Sequence, residues 1–247
     1  MLVEEATEPF GRVIIQSAPL GLSRGRAKMN IALNKAAGAI SRTSSLEEVF
    51  ETLADVKRLG KAWGLNGSMP FSPAYDHAPL PSESQIDAVR AAVAPKIDVL
   101  IGYNHDEATL LVGEVPLIGR LTWLPLVGSW LQDSVVHWLI GRLYRHSAIE
   151  LARKYKGAGG NASLYEFTYC VPGNRMKSNH GLELSLLFPN KTAWAGGKGL
   201  QGVDWDEHEV KGRAFRGLWA DFARGRQLVA TDGVPGLLTL LDVSVQG

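Results

Sequence analysis

Ile97-Asp98-Val99-Leu100-Ile101-Gly102-Tyr103, followed at once by Asn104-His105-Asp106-Glu107, is the stretch that decides the fold. An apolar run rich in β-branched side chains and carrying one charge predicts a strand buried on both faces, as in a parallel sheet covered by helices. The chain enters it from a helix. Ser82-Glu83-Ser84-Gln85 has the form of a capping box, Ile86, Val89 and Val93 recur at helical spacing, and Ala94-Pro95 stops the pattern. In open α/β sheets functional groups gather beyond the carboxyl ends of the strands, so Asp106 and Glu107 stand where a catalytic carboxylate belongs. For an arbitrary strand end, a solvated loop acid would be the simpler account.

A second strand end shifts that balance. Leu164 to Val171 is aromatic and β-rich, follows the breaker cluster Gly157-Ala158-Gly159-Gly160, and leads to Asn179-His180-Gly181-Leu182-Glu183. Two strands thus deliver an acid and a histidine. These segments read Gly102-x-Asn104-x-x-Glu107-Ala108 and His180-Gly181-x-Glu183. In this form the chain resembles the type-B carboxylesterase and cholinesterase group of α/β hydrolases. There the triad acid lies in Gly-x-Asn-x-x-Glu-Gly and the histidine in His-Gly-x-Glu. The resemblance extends to Phe10-Gly11-Arg12-Val13-Ile14-Ile15-Gln16-Ser17, to Met69-Pro70-Phe71-Ser72-Pro73-Ala74-Tyr75-Asp76 and to Leu218-Trp219-Ala220-Asp221-Phe222-Ala223. Each motif alone is weak, but together they run in the family's order through nearly the whole chain.

The resemblance implies an α/β fold: residues 1–247 as the C-terminal portion of a type-B carboxylesterase domain, with a mostly parallel sheet flanked by helices. It implies a serine-type hydrolase of carboxylic esters, with Glu107 as triad acid, His180 as general base, Ser17 as a support near the acid, and Glu183 as a structural residue. The nucleophile of such an enzyme sits on a strand-to-helix elbow, Gly-x-Ser-x-Gly. In the family that elbow precedes the Phe10 to Ser17 segment, about a dozen residues before Met1 by the family's spacing. The nucleophile-bearing half is therefore expected to be absent, and the chain alone inactive. Gly21-Leu22-Ser23-Arg24-Gly25 has the elbow pattern. Yet Ser23 comes several residues after the predicted strand and beyond Pro19, whereas an elbow serine sits at the strand tip, so Ser23 is the disfavoured nucleophile. The alternative, from a different class, is a non-catalytic interaction protein derived from an esterase fold. The expected partner is a small-molecule ester if the missing half completes the site. Self-association through the unpaired edge of the strand at Val13 is also expected.

Composition narrows the rest. Twenty-six basic against 25 acidic residues give a net charge of +1 with no long basic run, which excludes nucleic acid as a partner. With 45% hydrophobic and 21% charged residues the chain is ordinary for a globular protein. The single cysteine, Cys170, falls in the predicted strand, so it is expected as a buried structural thiol. The N-terminus has Glu4, Glu5 and Glu8 where an export signal needs a basic region. Leu121 to Gln132, the longest charge-free segment after Arg120, contains Pro125 and is too short to cross a bilayer. No membrane span and a cytoplasmic location are expected. No cofactor and no metal are called for: His137 and His146 are spaced unlike a single-helix metal pair, and Gly197-Lys198-Gly199-Leu200-Gln201-Gly202 lies in a polar loop rather than after a strand, so it is not a dinucleotide fingerprint.

The remaining elements follow from periodicity. A strand is predicted over 12–16, and a helix over 27–37 with Met29, Ile31, Leu33 and Ala36 facing the core. Overlapping capping boxes at Ser44 and Ser45 start a helix that ends at Gly60, with Val49, Leu53, Val56 and Leu59 facing the sheet. The 64–81 loop carries Asp76-His77 where the family has Asp-Gly. The apolar stretch from Leu110 to Leu143, with Trp123, Trp130 and Trp138, reads either as a pocket-lining lid or, preferably, as helices covering the sheet. A helix over about 207–224 is expected to bury Val210, Ala214, Leu218, Trp219 and Phe222, and 237–243 to form a last strand.

Overall fold

The computed structural model describes residues 10–38, 40–107, 134, 138 and 141–243. The N-terminal acids, Trp123, Trp130, His137 and most of the predicted lid segment lie outside the described residues. Strands β1 (Arg12–Gln16), β2 (Asp98–Asn104), β3 (Ala162–Phe167) and β4 (Leu238–Leu241) form one sheet in the order β1-β2-β3-β4. The first three are parallel and β4 runs antiparallel to β3. This is a mostly parallel sheet flanked by helices. Every residue of β2 after Asp98 is buried, as a central strand with two covered faces requires.

Register and alternation assign the faces. Ile14, Leu100, Gly102, Asn104, Tyr165 and Phe167 share one side, and Val99, Ile101, Tyr103 and Leu164 share the other. The first side is closed by α5 (Leu182–Leu187) and, beyond the short α6 (Lys191–Trp194), by α7 (Trp205–Ala223); Leu182 and Leu186 of α5 and Phe215, Leu218, Trp219 and Phe222 of α7 join Leu100, Tyr165 and Phe167 in one core. Trp219 meets the Tyr165 ring edge-on at 5.0 Å and Phe215 at 3.9 Å. In this sheet, α4 (His146–Gly157) packs on β2 and β3, and its Tyr155 hydroxyl donates to the Ile97 carbonyl at 2.6 Å. A turn of π-helix, Gly141–Arg145, leads into α4. His146 is exposed at its start.

Several side chains depart from the sequence expectation, each for a geometric reason. On α7 the buried face runs His208, Gly212, Phe215, Trp219 and Phe222, which leaves Val210 57% exposed; it lies two residues, or about 200°, from His208. β3 ends at Phe167, short of the predicted Val171. The alternation persists beyond it, so Tyr169 and Val171 turn inward and Cys170 turns outward, an exposed thiol rather than a buried one.

The chain from Leu20 to Arg90 forms its own compact unit, distinct from the sheet-bearing one. There α1 (Ala27–Ala37) and α2 (Leu46–Gly60) pack through Met29, Leu33 and Val56. Ile31, on the far side of α1, is 71% exposed. Ser45, not Ser44, caps α2: its hydroxyl accepts from the Glu48 N–H while the Glu48 carboxylate accepts from Ser45 N–H, at 3.2 and 2.7 Å. Ser82 is no cap, because its hydroxyl is turned onto the Gln85 side chain at 2.8 Å and α3 begins only at Ile86 (Ile86–Val93). The left-handed turn residue is Asp76 itself, at φ +65°, so His77 needs no glycine-like conformation. No described helix is long and apolar enough to cross a membrane.

Gly102 shows how tightly the site-bearing face is packed. A Cβ built there would lie 2.4 Å from three carbons of the Tyr165 ring, which itself is fully buried. Gly102→Ala is therefore expected to lower the unfolding free energy by about 1–3 kcal/mol in a urea titration. Gly157→Ala, at the exposed end of α4 with no atom within 4 Å, should be neutral or slightly stabilising. Equal midpoints for the two variants would contradict this packing.

Candidate active site

β2 ends at Asn104, and the turn that follows sends Asp106 and Glu107 in different directions. Glu107 folds back: its Oε1 accepts the Asn104 N–H at 2.7 Å, and its Oε2 lies 2.6 Å from His180 Nδ1. The carboxylate is fully buried, with both oxygens committed. Because a carboxylate only accepts, Nδ1 carries the proton and Nε2 of the neutral ring is left as the basic atom. Among the described residues nothing is hydrogen-bonded to Nε2. The bond to Glu107 raises the His180 pKa above the ordinary imidazole value; burial opposes this, and the charges of Glu107 and Glu183 add to it.

His180 is held by what surrounds it in the chain. Gly181 adopts φ +80° at the start of α5, a conformation glycine takes without a Cβ penalty, and this lets α5 begin immediately after the histidine. The Tyr144 ring packs on the imidazole, centroids 5.8 Å apart and tilted by 47°. Burial, with the nearby Glu107 charge, pushes the Tyr144 phenol up to about 12, so it stays neutral.

Beneath the pair lies a second buried carboxylate, Glu183. It accepts from Asn104 Nδ2 at 2.5 Å and from the Ser17 hydroxyl at 3.2 Å. Burial raises its pKa, the Asn104 hydrogen bond works the other way, and the Glu107 charge raises it further. Ser17 follows β1 in a left-handed conformation, φ +49°, anchored by its N–H to the Gly102 carbonyl at 2.9 Å. Its hydroxyl also reaches Asn104 Oδ1 at 3.5 Å. Ser17 thus supports Glu183 rather than the acid that faces the histidine. Asn104 Nδ2 additionally donates to the Asn179 carbonyl at 2.7 Å.

The structure therefore brings Glu107, His180, Glu183, Asn104 and Ser17 into one network. Ser23 takes a different role: just after the 3-10 turn Leu20–Leu22 and well past the end of β1 in the sequence, its hydroxyl donates to the Leu20 carbonyl at 2.7 Å. Reading the residues one at a time missed Tyr144, which no local pattern marks, and Asn104 as a hub, although the Gly-x-Asn spacing pointed at it. Among the described residues no group of three or more His, Cys, Asp or Glu side chains could hold a metal ion.

No family model matches the chain. It is similar to the protein described as "Probable N-octanoylanthranilate hydrolase AqdA2" of Rhodococcus erythropolis, at 26% identity over 226 residues, which is 89% of this chain and 50% of that protein. It also matches the crystal structure of the Geobacillus stearothermophilus carboxylesterase EST55 at pH 6.2, with a TM-score of 0.58 and 19% identity over 95% of this chain and 53% of that one. The chain spans about half the length of each relative and corresponds to their C-terminal part. Its fold is that part of a carboxylesterase-like α/β hydrolase.

A group whose folded-state pKa is raised stabilises the fold fully below its unfolded value, about 6.5 for histidine, and that contribution disappears as pH rises through the folded-state pKa. His180 is expected to titrate above ordinary imidazole when followed by NMR. In Glu107→Gln it should fall to or below the ordinary value, since burial would then prevail. An unchanged midpoint would mean that the Glu107 bond does not set the protonation of His180.

Proposed function

We propose that this chain supplies the acid–base part of a carboxylic ester hydrolase of the serine type. The observation that carries the reading is the Glu107 to His180 bond of 2.6 Å, which orients Nε2 as a base at the carboxyl end of a buried parallel strand. His180 Nε2 would take the proton of a serine hydroxyl as it attacks the ester carbonyl, then return it to the departing alkoxide. A water molecule would repeat the sequence to release the acid. Glu107 would hold the ring in one tautomer and stabilise the imidazolium without itself gaining the proton.

The serine and the donors for the oxyanion are the parts for which these residues offer no convincing candidate, given where the Ser23 hydroxyl is engaged. The half-length match to both relatives supports a nucleophile on a separate segment. Among the described residues β1 pairs on one side only, and its free edge is where the strand of that segment would add. The relative's described action on an N-octanoyl aromatic acid supports a medium-chain acyl group as one substrate to try.

Complementation tests this directly. Co-expressed with the nucleophile-bearing half of a carboxylesterase, the chain is expected to restore hydrolysis of a short activated ester. The rate should fall about 10²–10⁴-fold in His180→Ala and by a large factor in Glu107→Ala, and remain unchanged in Ser23→Ala. Turnover by the chain alone that collapses in Ser23→Ala would identify Ser23 as the nucleophile. No activity in any pairing would favour a non-catalytic binding role.

A further inference from the structure

The two adjacent acids after β2 have separate partners, and the first of them, Asp106, accounts for how the histidine loop is held. Asp106 N–H donates to the Ser178 carbonyl at 3.1 Å, and Ser178 N–H donates back to Asp106 Oδ2 at 3.3 Å. Ser178 is almost wholly buried, and Asp106 nearly so. The Ser178 hydroxyl is tied to the end of β3, donating to the Phe167 carbonyl at 2.8 Å. Just before it Lys177 turns through φ +48°, with its ammonium 3.9 Å from Asp106 Oδ1.

These contacts close a small ring. Going round it, Asp106 is bonded to Glu107, Glu107 reaches His180, and Asn179 leads back to Ser178, which reaches Asp106. The Glu107 to His180 bond therefore lies directly across from the Asp106 to Ser178 bridge, with very little backbone free to move between them. A buried N–H without an acceptor costs about 1–3 kcal/mol, so the Asp106 carboxylate keeps Ser178 facing inward and, through it, the imidazole two residues on. We propose that Asp106 is a positioning residue that sets the His180 imidazole against Glu107, acting through the Ser178 amide and not through its charge. The proposal rests on the reading of Glu107 and His180 as a working pair.

Two conservative variants of the full chain separate the bond from the charge, with the His180 imidazole titration followed by NMR and the buried His208 resonance as a check on the fold. Asp106→Asn keeps an acceptor in place and removes the charge, so the His180 midpoint is expected to stay at the parental value. Asp106→Glu keeps the charge and displaces the acceptor by one methylene, and the midpoint is expected to drop by about one pH unit. The reverse ordering, or no change in Asp106→Glu, would overturn the proposal. Glu107→Gln run alongside isolates its premise: if that variant leaves His180 unmoved, the pair itself is wrong, whereas a drop there with no drop in Asp106→Glu refutes only the role of Asp106. Exchange of the Ser178 amide in the parent chain gives a check free of any variant. Protection at neutral pH is expected, and exchange at the rate of an open loop amide would refute the bridge.

Discussion

One buried side chain, Asn104, ties the sheet to the site. It is fully buried, and the amide gives its hydrogens to Glu183 and the Asn179 carbonyl while its oxygen lies within reach of the Ser17 hydroxyl. Its backbone N–H, left over at the end of β2, goes to Glu107. The residue thus links the end of β1, the end of β2 and the loop carrying His180. Buried polar groups are costly unless paired, so pairing the Asn104 amide, the Ser17 hydroxyl and the two carboxylates holds the three segments together. Asparagine suits the position because one planar amide both donates twice and accepts; an aspartate there would face the Glu183 carboxylate and the Asn179 carbonyl with no hydrogen to give.

The electrostatics follow from that arrangement. Glu107 and Glu183 are buried on either side of Asn104, and one imidazole stands near them to take a positive charge. Burial is the leading cause that raises the pKa of Glu183, and the like charge of Glu107 adds to it. Glu107 has a backbone N–H and the histidine as its partners. Two buried carboxylates of the same chemistry are thereby given different partners by their surroundings, one bonded to a histidine whose ring reaches solvent and the other held by Asn104 and Ser17.

His208 shows the opposite use of a buried imidazole. It sits between the Tyr169 hydroxyl at 3.1 Å and the Ser185 hydroxyl at 3.2 Å, and the Ser185 hydroxyl donates to the Leu182 carbonyl at 2.7 Å. Ser185 must then accept from Nε2–H, and Nδ1 accepts from Tyr169, which fixes a neutral tautomer. Burial lowers the His208 pKa in keeping with this. It fastens α7 to α5, the short helix that starts just after His180, so the two histidines serve the same region with contrary protonation preferences.

What was legible in the sequence is what short-range periodicity and spacing encode. β1 and α1 have the limits the pattern assigns, β2 is displaced by a single residue, and its burial follows from an apolar run that has no polar face to show. The Gly-x-Asn-x-x-Glu and His-Gly-x-Glu spacings singled out the acid and the histidine that meet. Periodicity failed where it offered two apolar faces: Ile31 and Val210 are as hydrophobic as their buried neighbours, and only the position of the packing partner decides which face turns inward. Tertiary structure alone decided that Asp106 turns to Ser178, that Ser17 supports Glu183, and that Tyr144 packs on the imidazole. Beyond a strand end the direction of a side chain is set by the turn and by whichever buried donor lies within about 3 Å, and those donors come from segments distant in the sequence.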